Sequence, residues 1–183
     1  QMFRYIGSPQ ASATSFHVES LKSLELVEGA AKTPMMAVLT TGYMRVGERM
    51  VFNYPELTTL QMVQMAAIGF DGIYYWHWYN NDGRFDNAIA RGTTLIARYE
   101  DFFVDGRKLA VPDKAVKKSK YALVLGRTLG TRVLLFLLNY DPNREGEIVV
   151  DFDKVIPGKK WFFDSTKKAV DHKTGIKVGP LDL

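Results

Sequence analysis

The sequence contains no cysteine among its 183 residues. This absence excludes disulfide bonds, cysteine-ligated zinc, iron–sulfur clusters and thiol nucleophiles. The sequence also lacks the run of about 18 apolar residues that a membrane-spanning helix needs, since its strongest apolar stretch covers only Val133 to Leu138. No stretch after Gln1 combines a basic segment, an apolar core and a cleavage site, so we expect no signal peptide within it.

Histidines and glycine-rich loops are also too sparse to form a cofactor site. The three histidines, His17, His77 and His172, are far apart in the sequence and have no metal-ligand spacing. Neither Gly7–Pro9 nor Gly42–Met44 forms the glycine-rich entry to a helix that binds phosphates. We therefore expect no metal and no cofactor, and an α/β enzyme for phosphorylated ligands is disfavoured.

The composition is that of a folded protein, with 46% hydrophobic, 24% charged and 13% aromatic residues. Charge is divided unequally along the chain. Up to Asp105 there are 8 basic and 11 acidic residues, a net charge of −3, whereas from Gly106 onward there are 16 basic and 9 acidic residues, a net charge of +7. All seven methionines precede Ala66. These changes predict two domains that meet near Gly106.

The basic second half has two possible interpretations. Its lysines are scattered among strand-like runs, and the densest group consists of Lys114, Lys117, Lys118 and Lys120. Nucleic-acid binders concentrate such charge in a stripe of arginine and lysine, which this sequence lacks. A solvated face is therefore favoured over a phosphate-binding surface, and we expect no nucleic-acid partner.

The first half alternates strands and helices. Its predicted elements, in order, are a strand at Phe3–Ile6, a helix capped by Thr14 or Ser15 and running to Ala31, a strand at Pro34–Thr40, a helix at Pro55–Ala67, a strand at Ile73–Tyr79, and one helix from Phe85 to Phe103 that stops at Asp105. Such alternation predicts parallel strands joined by right-handed crossovers. Three such units cannot close a barrel, so we expect the chain to hold the last units of a larger one.

The second half predicts short antiparallel strands in a meander. The strands are expected at Tyr121–Arg127, Thr131–Tyr140, Glu147–Phe152, Lys160–Phe163 and Gly175–Val178. Turn residues such as those of Asp141–Asn143 and Pro157–Gly158 separate them. We expect a small β-sandwich packed on the last helix. The side chains predicted to be buried in it are Leu123, Val133, Leu135, Leu137, Val149 and Phe162.

This order of elements, with the local sequences at Ala67–Trp78 and Ala88–Gly106, resembles the C-terminal portion of a glycoside hydrolase-like (β/α)8 barrel protein with a following antiparallel β domain. The resemblance implies an α/β plus all-β fold: the last βα units of a TIM-like barrel in residues 1–108, a linker in residues 109–120 and an antiparallel β-sandwich in residues 121–183. It also implies that the remainder of the barrel belongs to the same full-length chain, and it favours an extracytoplasmic or secreted protein.

Barrel enzymes build their sites at the carboxyl ends of the strands. In this chain the resemblance selects the loops Gly7–Gln10, Thr40–Tyr43 and Trp78–Asp82. Sugars present C–H faces to aromatic rings and hydroxyls to amides and carboxylates. The candidate substrate-binding residues are therefore Thr41, Trp76, His77, Trp78, Asn81 and Asp82.

Several of these residues have a structural alternative. Trp76 and Trp78 suit either a sugar platform or barrel packing. Because side chains alternate along a strand, Trp76 and Trp78 share the face of Tyr74 and not that of Tyr75, and we expect the tryptophan face to point inward. His77 fits a hydrogen-bonded structural residue, a sugar-hydroxyl contact or, least well, a metal ligand.

Glycoside hydrolysis usually needs two carboxylates that flank the scissile bond. Asp82 is at the correct end of its strand, but Asp82-Gly83 is also an ordinary turn pair, so the catalytic residues stay unknown with Asp82 as a candidate. The strand ending at Thr40 lacks the glutamate that many retaining barrel glycosidases carry there. The resemblance thus implies part of a glycoside hydrolase of carbohydrate metabolism, whose acid and nucleophile lie in barrel units outside this chain. The alternative is a non-catalytic carbohydrate-binding or scaffold protein.

Overall fold

The computed structural model describes residues 36–40, 43–46, 49–52, 54–76, 82–141, 143–164, 166–180 and 182–183. The strand predicted at Phe3–Ile6 and the helix predicted up to Ala31 lie outside these residues. The strands are β1 Met36–Thr40, β2 Tyr43–Val46, β3 Arg49–Phe52, β4 Gly72–Trp76, β5 Arg107–Leu109, β6 Val116–Lys118, β7 Ala122–Leu129, β8 Arg132–Asn139, β9 Gly146–Asp151, β10 Trp161–Phe162, β11 Ala169–Val170 and β12 Lys173–Val178. The helices are α1 Pro55–Ile68, α2 Gly83–Arg98, α3 Glu100–Val104 and α4 Phe152–Val155.

Helix α1 is buried along almost its whole length. It begins at Pro55, where the missing backbone N–H of proline is tolerated. It ends before Gly69, whose φ of 106° lies in the left-handed region that glycine adopts without strain. Every residue from Leu57 to Ile68 is buried. The helix contacts β1, β4, β7 and α2. Because it is covered on all sides, α1 forms the centre of the larger of the two apolar cores among the described residues.

Strands β1 and β4 pair in parallel, as the alternating pattern predicts, with Met36 opposite Gly72 and Thr40 opposite Trp76. One face of the pair packs against the core around α1 through Ala37, Leu39, Ile73 and Tyr75. On the other face Met36 and Tyr74 are each 58% exposed. This parallel pair therefore has one covered face and one open face.

The last helix of the first half is interrupted. A single helix was expected from Phe85 to Phe103, but α2 ends at Arg98 and α3 begins at Glu100. At Tyr99 the backbone leaves helical geometry, with φ −117° and ψ 23°. The Tyr99 hydroxyl donates a 2.7 Å hydrogen bond to Asp164, and its ring packs edge-on against Phe136. These contacts with distant residues accompany the break, and the apolar periodicity does not show it.

Helices α1 and α2 approach closely. The Thr59 hydroxyl donates a 2.8 Å hydrogen bond to the carbonyl oxygen of Ala88. A Cβ atom at Gly92 would lie 2.5 Å from the sulfur of Met62, so glycine permits this contact distance. The close approach holds α2 against the buried helix.

The strands of the second half form two three-stranded antiparallel sheets and not the expected meander. In one sheet β7 lies between β5 and β8, and in the other β9 lies between β6 and β12. The segment predicted as a linker, residues 109–120, holds the end of β5 and all of β6. The structure also contains two hairpins outside these sheets, β2–β3 and β10–β11. Neither hairpin was predicted, although β10 lies within the strand expected at Lys160–Phe163.

The β7–β8 layer is apolar on both faces. Leu125, Phe136 and Leu138 pack into the core around α1. Val124 and Leu137, on the opposite face, pack into a second apolar cluster that is centred on β9 and β12 and includes Ile148 and Val150. The layer therefore joins two cores.

The most deeply buried side chains of β7, β8 and β9 are not the expected ones, and in β8 and β9 they are shifted by one residue. Leu123, Val133, Leu135, Leu137 and Val149 are only partly buried, and Phe162 is 58% exposed. The fully buried neighbours are Leu125, Phe136, Leu138, Ile148 and Val150. In β8 and β9 strand alternation explains the shift, because the more deeply covered face carries the other set of side chains. In β7 the expected Leu123 shares the face of the buried Leu125 but lies nearer the start of the strand. Phe162 differs because it belongs to the two-stranded β10–β11 hairpin.

Arg127 on β7 joins the helices to the sheets. It is only 6% exposed. Its guanidinium donates to the carbonyl oxygens of Phe102 at 3.0 Å, Phe103 at 2.7 Å and Gly106 at 3.0 Å. The last carbonyls of a helix have no partner within the helix and attract positive charge. Arg127 thus caps α3 and ties its end to β7.

Replacing Arg127 by alanine should lower the free energy of unfolding by about 3 kcal/mol, because three carbonyl acceptors lose a charged donor. Urea denaturation followed by circular dichroism measures this change. The matched control is Arg107→Ala, since Arg107 is exposed on β5. Equal losses in the two variants would contradict the capping role of Arg127.

Candidate functional site

Two residues of the strand-end site that the sequence predicts, Trp76 and Asp82, lie among the residues that the structure describes. The register places Trp76 opposite Thr40 at the carboxyl ends of β1 and β4. Parallel strands bring such ends to one edge, which is where α/β folds bind ligands. The remaining candidates, Thr41, His77, Trp78 and Asn81, lie outside the described residues. Trp76 and Asp82 are therefore the candidates that the structure locates.

Asp82 caps the amino end of α2. Its carboxylate accepts a 2.9 Å hydrogen bond from the backbone N–H of Arg84, and the Arg84 guanidinium pairs with it at 2.7 Å. The side-chain hydrogen bond from Arg84 lowers the pKa of Asp82. A carboxyl with a lowered pKa stays ionised, which suits helix capping, whereas a general acid needs a raised pKa. These contacts agree with the turn interpretation of Asp82-Gly83, and sugar binding by Asp82 stays a prediction.

The hairpin β2–β3 is inserted directly after the strand-end site. It follows the carboxyl end of β1 and precedes α1, and Tyr43 lies opposite Phe52 while Val46 lies opposite Arg49. Loops at this position form the binding sites of barrel enzymes. The sequence signal was present but weak, namely two short apolar runs around Gly47 and Glu48.

The two neighbouring tyrosines of β4 lie in opposite environments. Tyr75 packs into the core around α1, and burial raises its pKa to about 12. Tyr74 is 58% exposed on the open face. The face of β4 that carries Tyr74 is therefore turned away from the core around α1, and the inward orientation of the tryptophans stays a prediction. In a closed barrel this face would be the interior.

A second concave region was not predicted from the sequence. It is a groove of about 960 Å³ where the end of α2, α3, the start of β8 and the β10–β11 hairpin meet. We call it the α2–β10 groove. Its lining consists of Ala97, Arg98, Tyr99, Glu100, Asp101, Phe102, Thr131, Arg132, Val133, Leu134, Lys159, Lys160, Trp161, Phe162, Asp164 and Lys167.

Asp164 organises the wall of this groove. Its carboxylate accepts hydrogen bonds from the Tyr99 hydroxyl at 2.7 Å and from Arg98 at 3.3 Å, and it also pairs with Lys167. The hydrogen bonds from Lys167 and then Tyr99 lower its pKa. Sequence reasoning missed this cluster because its members are up to 69 residues apart in the chain and carry no local motif.

Within the described ranges, no group of three or more potential metal ligands lies together. Among the same residues, no helix is long and apolar enough to cross a membrane.

Comparisons with known proteins give one structural match. No protein-family model and no curated protein sequence matches the chain. In structure it is similar to a β-L-arabinopyranosidase of glycoside hydrolase family 27 from Geobacillus stearothermophilus, solved in complex with arabinose, with a TM-score of 0.58 and 11% sequence identity. The match covers 93% of this chain and 40% of that chain. The chain thus shares the fold of part of a glycoside hydrolase and spans less than half of its length.

The Asp164 cluster should make stability depend on acidic pH. A lowered pKa in the folded state stabilises the protein above the unfolded carboxyl pKa, and this contribution is lost as the pH falls through the folded value. We therefore expect Asp164→Asn to be less stable than the wild type at pH 7. The difference should be less than about 1 kcal/mol, because the ion pairs of Asp164 with Arg98 and Lys167 are partly exposed. The difference should disappear in strongly acidic solution.

Thermal melts between pH 7 and pH 2 test this dependence. Asp113→Asn is the control, because Asp113 is an exposed carboxyl outside the cluster. A constant difference between Asp164→Asn and wild type at every pH would show that the ionised carboxylate does not hold the cluster.

Proposed function

We propose that this chain contains the last βα units and the following antiparallel β domain of a carbohydrate-active glycoside hydrolase, and that it contributes sugar-binding residues from its strand ends. The observation that carries the proposal is the parallel β1–β4 pair, whose carboxyl ends coincide at Thr40 and Trp76. The fold similarity to part of a family 27 glycosidase supports it.

The open face of β1–β4 supports a barrel larger than this chain. Met36 and Tyr74 are 58% exposed there, while the opposite face is closed by α1. Barrel strands have helices on the outside and packed side chains on the inside. Further βα units of the same full-length chain would cover this face. In this proposal residues 1–108 belong to the barrel, and residues 121–183 form the β-sandwich, whose two layers are the paired strands β7–β8 and β9–β12 around Ile148 and Val150.

The proposed sugar site consists of Thr41, Trp76, His77, Trp78, Asn81 and Asp82. The sequence alternation predicts that Trp76 shares the inward face of Tyr74. There an indole ring would stack on the C–H face of a pyranose. The Asn81 amide could donate hydrogen bonds to the sugar hydroxyls or accept them, and the Asp82 carboxylate would accept them. The related glycosidase was solved with arabinose, which makes arabinose the first ligand to test.

The second candidate function is non-catalytic carbohydrate binding. The observation in its favour is the state of Asp82, whose lowered pKa and Arg84 partner fit a helix cap better than a proton donor. Hydrolysis of a chromogenic arabinopyranoside by the full-length protein separates the two functions. Turnover supports the hydrolase, whereas arabinose binding without turnover of any tested pyranoside supports the binding protein.

Replacing Trp76 by alanine in the full-length protein should weaken arabinose binding at least about tenfold, which corresponds to about 1.4 kcal/mol for the lost stacking surface. Isothermal titration measures the affinity, and thermal melts run in parallel measure stability. The control is Tyr121→Ala, which removes a partly buried aromatic side chain outside both the strand-end candidates and the α2–β10 groove.

The two roles of Trp76 predict opposite results. A packing role would leave the affinity of the folded variant unchanged while lowering stability by about 3 to 5 kcal/mol. That outcome would remove Trp76 from the proposed site.

A further inference from the structure

The α2–β10 groove lies far from the strand-end site. Asp82 stands at the amino end of α2, and Arg98 and Tyr99, which line the groove, stand at its carboxyl end. A 16-residue helix is about 24 Å long. A ligand in the groove would therefore not contact the residues at the ends of β1 and β4.

The groove offers aromatic surface. Phe162 is 58% exposed on one wall. Beside it the Trp161 ring packs on Phe152, with 4.9 Å between ring centroids. Flat rings next to polar groups suit the C–H faces and hydroxyls of sugars.

The charge of the groove is positive. Its five cations are Arg98, Arg132, Lys159, Lys160 and Lys167, and its three anions are Glu100, Asp101 and Asp164, so the lining carries a net charge of +2. Two cations share Asp164, and Arg132 pairs with Asp101. Lys160 is exposed and has no ion pair among the residues that the structure describes. Positive charge therefore remains available for a ligand.

The groove also has the size of a ligand site. Its volume of about 960 Å³ is at the upper end of the range of about 300–1,000 Å³ that is typical of small-molecule pockets. A single sugar would leave much of it empty, so a short chain of sugars fits better.

We propose that the α2–β10 groove is a second carbohydrate site and that it binds a short glycan containing uronic acids. A sugar ring stacks on Phe162, and the carboxylate of a uronic acid pairs with Lys160 and with the other cations of the groove, such as Lys159 and Lys167. The assignment of a glycan and not an acidic peptide rests on the exposed ring and on the proposed function.

Titration of the full chain with trigalacturonic acid tests the site. We expect binding that weakens as salt is raised, because exposed ion pairs are screened. Phe162→Ala and Lys160→Glu should each reduce the affinity about five- to tenfold, equivalent to about 1 to 1.4 kcal/mol. The controls are Val104→Ala, which removes an exposed apolar side chain outside the groove, and Lys117→Glu, which makes the same charge change on β6.

Comparison ligands and Trp76→Ala complete the test. Galactotriose, the neutral counterpart, should bind more weakly than trigalacturonic acid, and hexaglutamate should not compete with it. Equal binding of galactotriose, competition by hexaglutamate, or unchanged affinity in both groove variants would each overturn the proposal. Trp76→Ala should leave trigalacturonate binding intact, so failure of the strand-end site and failure of the groove give different results.

Discussion

The interaction on which the described structure most depends is the buried guanidinium of Arg127. A buried cation is costly to desolvate unless hydrogen bonds compensate, and Arg127 directs three of the five N–H donors of its guanidinium to carbonyl groups at and just beyond the end of α3. Those carbonyls in turn would lack partners without it. The neighbouring Gly106 leaves no room for a side chain, since a Cβ there would lie 2.2 Å from the Phe102 oxygen. One arginine and one glycine thus fix how the helices meet the β-sheets.

This junction explains why the compositional boundary is also a point of strong coupling. Charge changes sign near Gly106, and the carbonyl of that residue is one of the three acceptors. The β7–β8 layer extends the coupling, because it packs on α1 with one face and on β9 and β12 with the other. Within the second half, Asn139 adds a polar link between β8 and the end of β12, since its buried side chain donates to the carbonyls of Arg144 and Gly179. The two halves differ in composition and share their packing.

Local patterns predicted the elements whose formation depends on neighbouring residues in the sequence. The expected helix Pro55–Ala67 differs from α1 by one residue, and the expected parallel pairing of the strands before and after it is present. Features set by distant residues were missed. The break at Tyr99 accompanies contacts with Phe136 and Asp164, and the placement of β6 beside β9 joins segments about 30 residues apart. Burial in β7–β8 was misassigned because periodicity cannot tell which of two apolar faces is covered more deeply.

At the candidate site the sequence likewise predicts which residue types are present but not the contacts that each side chain makes. Sequence placed aromatic and polar residues near a strand end, and the register of Thr40 with Trp76 is consistent with that position. It could not show that Arg84 holds Asp82 as an ionised helix cap. Retaining and inverting glycosidases both need one carboxyl that carries a proton, and neighbours that lower a pKa work against this. If the intact protein hydrolyses glycosides, the lowered pKa of Asp82 favours a different carboxyl as the acid. Further strands of a barrel would bring such a carboxyl to their own carboxyl ends, beside the ends of β1 and β4.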